Sequence, residues 1–401
     1  MASIKEIEKK LAKQFEKIDD IAFFNQKKVL DAFAECKITT QCFAGTTGYG
    51  YDDLGRDKLA MLFSHVFKTE KAIVSPLITC GSHAISIVLY GLLRPNDTIL
   101  SISGELYDTL YDTLFGKENG SLENFGIKFK QIELKNNNFD KDLILKAIKK
   151  YKPKVVFVQR SRGYTSRKAL SIKQMQEIFA DIKTVKNPPF IVVDNCYGEF
   201  VEEKEPTEVG ADVIVGSLIK NPGGGLAPTG AYIAGTEKAI DMISTRFTSP
   251  SLLLEVGSYE LGYRMFYQGL FLAPHTVAQA LKGAMLVGGV MEEKGYKIIP
   301  SNDEQPDDII KSVVFNSEDE LVKFVQLVQK ISPVDSFIVP MPWDMPGYND
   351  KVIMAAGTFV SGASIELSCD SPIKKPYIAY FQGGLTYEHV KIMAEQLNKL
   401  Y

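Results

Sequence analysis

Residues 213–225 read VIVGSLIKNPGGG, an apolar run that closes on Lys220 and meets a glycine-rich turn. A short run rich in valine and isoleucine and bounded by proline and glycine predicts a buried β-strand. Because lysine is almost never buried without a partner, Lys220 taken alone would be a surface residue. Its position at the end of a buried strand predicts instead that the amine lies in a cleft. Desolvation there would lower the pKa of the amine and allow it to form an imine.

A second apolar run covers residues 190–194 and ends in the carboxylate of Asp194. Ligands of parallel sheets bind beyond the carboxyl ends of the strands, so Asp194 and Lys220 would lie at one rim. Asp194 alone could equally be a helix N-cap or a turn residue. Together the two residues supply what pyridoxal phosphate (PLP) requires, a lysine for the Schiff base and an acid that keeps the ring nitrogen protonated. The pair therefore predicts a PLP enzyme.

Short β-rich runs alternate with helical segments through the first half of the chain. This alternation predicts an α/β domain with a mostly parallel sheet. The predicted strands cover residues 73–78, 98–102, 127–134, 155–159, 190–194 and 213–219, and the predicted helices between them cover 82–93, 140–150 and 171–183. The predicted units are an N-terminal helical arm over 1–50, a large domain over 51–250, and a linking helix with a small C-terminal domain over 251–401.

The chain of 401 residues has a formal net charge of −3. This charge gives no basic surface for nucleic acid, so we expect a small-molecule partner. The apolar stretches look too short to cross a bilayer, and residues 1–6 lack the apolar core of a signal peptide, which predicts a cytoplasmic protein without membrane contact. Five scattered cysteines and four histidines lack the spacing of a disulfide framework or a metal site, so no metal is predicted.

A phosphate site is predicted where Gly81 and Ser82 follow the first strand and open a helix, because helix N-termini favour anions. A plain strand-to-helix turn is an equal alternative. Ser217 could bind the same phosphate or bond to backbone. Tyr107 follows the second strand and could stack on a ring or pack in the core, with Tyr111 as the competing residue.

The order of glycine turn, tyrosine, aspartate and lysine resembles the fold-type I PLP enzymes of cysteine and methionine metabolism, the group of cystathionine lyases and methionine gamma-lyase. Residues 216–230, GSLIKNPGGGLAPTG, are similar to the branch called aluminium resistance proteins, as are 159–164 (QRSRGY) and 377–389 (YIAYFQGGLTYEH). The match covers nearly the whole chain. It implies an aspartate aminotransferase-like fold with a mostly parallel large-domain sheet and a smaller α+β C-terminal domain. It also implies a homotetramer, a dimer of dimers in which a neighbouring subunit completes each site.

The resemblance assigns a role to each candidate residue. Lys220 would be the Schiff-base lysine, Asp194 the pyridinium partner and Tyr107 the stacking ring. The remaining cofactor contacts would be Gly81, Ser82 and Ser217 on the phosphate, with Tyr51 (or Tyr49) and Arg56 reaching the neighbouring subunit's phosphate.

The sequence departs from the family at the substrate's carboxylate. The better-known lyases clamp it with an arginine of the C-terminal domain, but the matching stretch is Ser364–Ser368, and no arginine follows Arg264. Arg160, Arg162, Lys374 or Lys375 could replace the clamp.

The predicted function is a carbon–sulfur lyase that eliminates thiol from the β or γ carbon of a sulfur amino acid and releases ammonia and a keto acid. Alternatives are a γ-replacement transferase of the same family, a PLP-binding stress-related protein with little turnover and, as a third reading, a sugar aminotransferase.

Overall fold

The computed structural model describes residues 2–116, 120–345 and 348–401. Its N-terminal half is built on a seven-stranded sheet in the order β1-β7-β6-β5-β4-β2-β3. Strands β2 to β6 pair in parallel, whereas β7 runs antiparallel to both of its neighbours. The strands are β1 Lys71–Ser75, β2 Thr98–Ser101, β3 Lys128–Gln131, β4 Val155–Gln159, β5 Phe190–Asp194, β6 Val213–Ser217 and β7 Ala231–Gly235. The six predicted strands are confirmed, and β7 was not predicted.

Helices cover both faces of this sheet. Local signals fix their starts: Ser3 and Glu6 form a capping box at the first helix, and Ser171 and Gln174 form another at the sixth. The helices up to residue 293 are α1 Ile4–Glu35, α2 Leu54–Val66, α3 Gly81–Leu92, α4 Asp108–Phe115, α5 Lys141–Tyr151, α6 Ile172–Lys183, α7 Glu237–Phe247 and α8 Arg264–Glu293. The predicted helices over 82–93, 140–150 and 171–183 are confirmed as α3, α5 and α6.

The C-terminal part is a smaller α+β unit, as the resemblance implies. Its five strands form an antiparallel sheet in the order β10-β11-β12-β9-β8. One of its two helices packs against this sheet, and the other packs on that helix and on α8. These elements are β8 Lys297–Ile299, β9 Ile310–Phe315, α9 Glu318–Ile331, β10 Val352–Ala355, β11 Ser368–Pro372, β12 Tyr377–Gln382 and α10 Tyr387–Leu400. The predicted domain boundaries stay a prediction.

Helix α8 joins the two parts. By length and composition it could cross a membrane, so the expectation that apolar stretches reach only strand length is wrong here. However, 72% of its most apolar window is buried inside the protein, where α1 and α10 pack on it. Such burial is typical of the central helix of a globular core.

Candidate active site

A cavity of about 450 Å³ lies at the carboxyl ends of β4, β5 and β6, between the two sheets. This volume is within the range of small-molecule and cofactor sites. The structure brings most of the predicted site residues to its wall. Those that line it are Gly81, Ser82, Tyr107, Arg162, Asp194, Ser217, Lys220 and Lys374.

Strand β6 ends at Ser217, and Lys220 lies three residues further on. A short 3₁₀ turn begins at the next residue, Asn221. Its Nζ lies 4.1 Å from the centroid of the Tyr197 ring. Burial lowers the pKa of Lys220, but the facing Cys196, Tyr197, Asp194 and Tyr107 side chains outweigh burial and hold the pKa well above its ordinary value. The expectation of a lowered pKa is therefore wrong for this structure.

Asp194 supplies the negative charge next to the lysine. It is the last residue of β5, and its Oδ1 accepts the backbone N–H of Cys196 at 3.1 Å. Burial raises the pKa of Asp194, while the charge of Lys220 lowers it. Burial also raises the pKa of the Cys196 thiol and the Tyr107 hydroxyl, so these groups stay protonated at neutral pH. At the strand ends of β5 and β6, the charged pair is thus Asp194 with Lys220.

The N-terminus of α3 closes one end of the cavity. Its N-cap, Cys80, accepts the N–H of His83 on Sγ at 3.4 Å, and α3 begins at Gly81. A Cβ on Gly81 would stand 3.7 Å from Cβ of Ser217, so glycine leaves open the space that Ser217 faces. Unpaired N–H groups at a helix start, a glycine and a buried serine together fit a phosphate.

Tyr107 joins this end of the cavity to the lysine. Its hydroxyl lies 3.2 Å from Oγ of Ser82, and its backbone N–H donates to Oε1 of Gln159 at 3.1 Å. Tyr111, the competing residue, is 54% exposed and does not line the cavity. The geometry favours Tyr107 as the ring that faces a bound cofactor.

Three predicted residues lie elsewhere. Tyr51 is 57% exposed, and Nη1 of the buried Arg56 donates to the carbonyl oxygen of Gly50 at 2.9 Å. Arg160 is fully buried outside the cavity wall, where it pairs with Glu202 at 2.8 Å. Arg160 therefore has a partner inside the fold, and Tyr51 and Arg56 do not line the cavity of this chain.

Arg162 and Lys374 are the two carboxylate candidates that reach the cavity. Arg162 is buried and pairs with Asp308 of the small domain at 3.1 Å, and among the described residues no hydrogen-bond partner faces its Nε. Lys374 is half-exposed and pairs with Asp350 at 3.0 Å. Glu366, which occupies the stretch matched to the missing arginine, accepts the N–H groups of Phe359 and Val360 instead.

Sequence reasoning missed several residues of the wall. Tyr197 follows Asp194 by three residues, so its place after a strand end was a usable signal. Tyr164 and Tyr380 lie inside motifs that the resemblance had already singled out. Asp370 had a weaker signal, a lone carboxylate within an otherwise uncharged strand; all four line the cavity.

The residues present fit PLP. A lysine and an aspartate lie at the carboxyl ends of adjacent strands, a tyrosine flanks them, and a helix start with a buried serine faces the same space. This donor set matches the amine, the ring nitrogen, the ring face and the phosphate that the cofactor presents. Among the described side chains, no group of three or more histidine, cysteine or acidic residues could hold a metal ion.

Known proteins agree with this geometry. The family model for methionine gamma-lyase matches residues 1–400. YnbB, an uncharacterised protein of Bacillus subtilis, is 46% identical over 390 residues, which cover 96% of this chain and 92% of that protein. The crystal structure of a carbon-sulfur lyase involved in aluminum resistance from Clostridium novyi NT has 46% identity and a TM-score of 0.95, covering 99% of this chain and 95% of that one. YhfS, a PLP-dependent protein of Escherichia coli, shares the fold at 15% identity, with a TM-score of 0.65 over 96% of this chain and 97% of its own. These likenesses confirm the fold predicted from the sequence.

Proposed function

Because this chain belongs to the methionine gamma-lyase family, we propose that it is a PLP-dependent carbon–sulfur lyase acting on a sulfur amino acid. The reaction takes the thioether and water to a thiol, ammonia and a keto acid. One observation carries the proposal: Lys220, Asp194, Tyr107 and the start of α3 line a single cavity.

Each of these groups has a place in holding the cofactor. Lys220 would hold the cofactor through its aldehyde group, Asp194 would pair with the ring nitrogen, and Tyr107 would pack on the ring. Gly81, Ser82 and Ser217 take the phosphate, supported by the dipole of α3. The buried carboxylate of Asp194 keeps the ring nitrogen protonated, because an opposite charge at close range stabilises the protonated form.

PLP, when bound, supplies an electron sink for the electron pair left when the substrate's Cα–H bond breaks. The chain supplies the proton transfers. The Nζ of Lys220, once displaced by the substrate's amine, takes the proton from Cα. The hydroxyl of Tyr107 is protonated at neutral pH, and we assign to it the proton that goes to the departing sulfur. Burial raises its pKa, so the proton leaves only as the sulfur takes it up.

Arg162 is our proposed partner for the substrate's carboxylate. It is an arginine in the cavity wall, and its Nε is buried without a hydrogen-bond partner among the described residues. A buried unpaired donor is costly, so a ligand oxygen at this point would gain a charge-assisted bond. Lys374 is a weaker candidate, because it is half-exposed and already paired.

We extend the proposal to the oligomeric assembly of the protein. Tyr51 and Arg56 lie outside the cavity of their own chain, which is consistent with a role in a neighbour's site. Phe23 of α1 is 77% exposed and Leu261 is 85% exposed. Large exposed apolar side chains of this kind favour a surface that another subunit covers. We propose a homotetramer built from dimers with shared sites, located in the cytoplasm.

Lys220→Ala tests the cofactor and the activity together. The wild-type protein, purified with PLP, is expected to show a visible absorption band that shifts on adding a sulfur amino acid and to release keto acid. In the variant the band should change, and release should fall by at least about 10³-fold, because the variant loses both the covalent attachment and the proton acceptor. Lys238→Ala, a lysine on α7, is the matched control and should behave as wild type.

The outcomes separate the alternatives. A wild-type protein without any visible band after reconstitution contradicts the cofactor assignment. A band without keto acid release from cystathionine, methionine, cysteine and their thioether analogues supports the PLP-binding protein with little turnover. New thioether formed when a second thiol is supplied supports the γ-replacement transferase.

A further inference from the structure

The wall of the cavity opposite Lys220 belongs to the small domain and carries a carboxylate. Asp370 lies on β11 directly opposite Tyr380 on β12, and Gln382 is two residues further along β12 on the same face. All three line the cavity. The small sheet therefore presents an acid, a phenol and an amide side by side to the site.

Aromatic rings surround this carboxylate. The ring of Tyr164, from the loop after β4, lies 5.3 Å from the ring of Tyr380 and 5.6 Å from that of Tyr348. The three tyrosines and Asp370 belong to the same cavity wall. We call Tyr164, Tyr348, Tyr380 and Asp370 the acidic aromatic wall.

Asp370 is held by neutral groups. Nε2 of Gln382 donates to its Oδ2 at 3.3 Å. Burial raises the pKa of Asp370 to about 6, and hydrogen bonds from Gln382 and Tyr164, together with the charge of Lys220, oppose that rise. The group is therefore mainly a carboxylate at neutral pH.

No lysine or arginine of the described residues makes an ion pair with Asp370. Arg162 forms an ion pair with Asp308, and Lys374 forms one with Asp350. The charge of Lys220 does lower the pKa of Asp370. However, Lys220 is the residue to which the proposed function attaches the cofactor. With that amine engaged, the half-buried carboxylate of Asp370 would face the substrate's path without a counter-charge, and a cationic group on the ligand would both supply one and keep the carboxyl ionised.

We propose that the acidic aromatic wall recognises an ammonium group at the far end of the substrate's thioether side chain. The geometry points to Asp370 as the residue that determines this specificity, with the three rings supplying the cation–π surface that organic cations prefer. The substrate class is then an S-aminoalkyl cysteine or homocysteine, whose departing thiol carries a positive charge. The inference rests on the proposed lyase function and adds the identity of the leaving group.

The test uses the PLP-loaded enzyme and two thioethers of nearly equal shape. S-(2-aminoethyl)-L-cysteine ends in an ammonium and S-propyl-L-cysteine in a methyl group, and the same pair built on homocysteine covers γ-elimination. We expect kcat/KM for keto acid release to be at least about tenfold higher for the aminoethyl compound. Asp370→Asn should lower this ratio about tenfold or more, whereas Asp319→Asn, an exposed aspartate at the start of α9, should leave the ratio unchanged.

A ratio is used because a general defect in folding lowers both values and leaves their quotient unaltered. Equal efficiencies in the wild type, or a ratio that Asp370→Asn does not change, would overturn the inference and leave the lyase function standing. Turnover of methionine without turnover of either probe would likewise overturn the inference and leave the lyase function standing. Failure to cleave any sulfur amino acid overturns the lyase function and the inference with it. If Asp370→Asn does not fold, the wild-type ratio alone decides.

Discussion

At the scale of single residues, the two candidate arginines differ in how much of their bonding capacity the fold already uses. Arg160 is fully engaged inside the large domain, bonding Glu202 and the side-chain oxygen of Asn195. Arg162 is also buried, yet one of its N–H groups has no hydrogen-bond partner among the described residues. Two arginines only two residues apart therefore differ in how much of their bonding capacity the fold uses, and the motif QRSRGY does not reveal this difference.

We expect Arg162→Lys to raise KM for a sulfur amino acid about tenfold or more while changing kcat by less than about threefold, because a point charge replaces a directed N–H donor. Steady-state kinetics of keto acid release measures both. Asp308→Asn is the control: it removes the ion pair at 3.1 Å but leaves the guanidinium in place. If both variants raise KM equally, Arg162 acts through the position of the small domain and does not bind the carboxylate.

At the scale of elements, Gly223 and Gly224 of the turn after Lys220 pack closely against helix α8. A Cβ on Gly269 of α8 would overlap the carbonyl oxygen of Gly223, and one on Gly224 would overlap the carbonyl oxygen of Gly269. The turn thus packs backbone to backbone against the helix. Gly224 also has φ of +54°, a left-handed conformation that glycine adopts without strain. Close packing on both sides fixes the direction in which Lys220 leaves its strand.

Gly269→Ala should therefore push the turn away from α8 and misplace the lysine. We expect a loss of stability of roughly 1–3 kcal/mol, as is usual for overpacking, together with weaker retention of PLP. Thermal unfolding and the visible absorption of the purified protein measure the two effects. Gln268→Ala, at an exposed neighbouring position of the same helix, should change neither, and an equally stable Gly269→Ala variant would contradict the packing argument.

At the scale of the whole molecule, a site shared between subunits predicts complementation. Lys220→Ala and Arg56→Ala should each be inactive alone, but co-expressed subunits should recover about a quarter of wild-type activity, because half of the dimers are mixed and each mixed dimer holds one intact site. Lys220→Ala with Asp194→Ala is the matched control and should recover none, since both residues belong to one subunit's cavity. No recovery in the first pair would contradict the shared site.

The sequence predicts the large domain better than the small one, for physical reasons. Buried parallel strands are continuous apolar runs, so β4, β5 and β6 could be placed, and their carboxyl ends located Lys220 and Asp194. The antiparallel β7 follows a glycine turn and was missed. The acidic aromatic wall was also missed, because it forms only when the loop after β4 meets the paired strands β11 and β12, and a contact between segments about 200 residues apart leaves no local pattern.

The packing of α1 on α8 bears on how the chain is made. The apolar face of α1 is synthesised first, but its partner begins at residue 264 and is complete only at residue 293. At translation rates of about 5–20 residues per second, that face waits on the order of ten seconds or more without a partner. During synthesis the apolar face of α1 is therefore exposed and open to chaperone binding. The arm can pack in its final position only after the ribosome has synthesised α8.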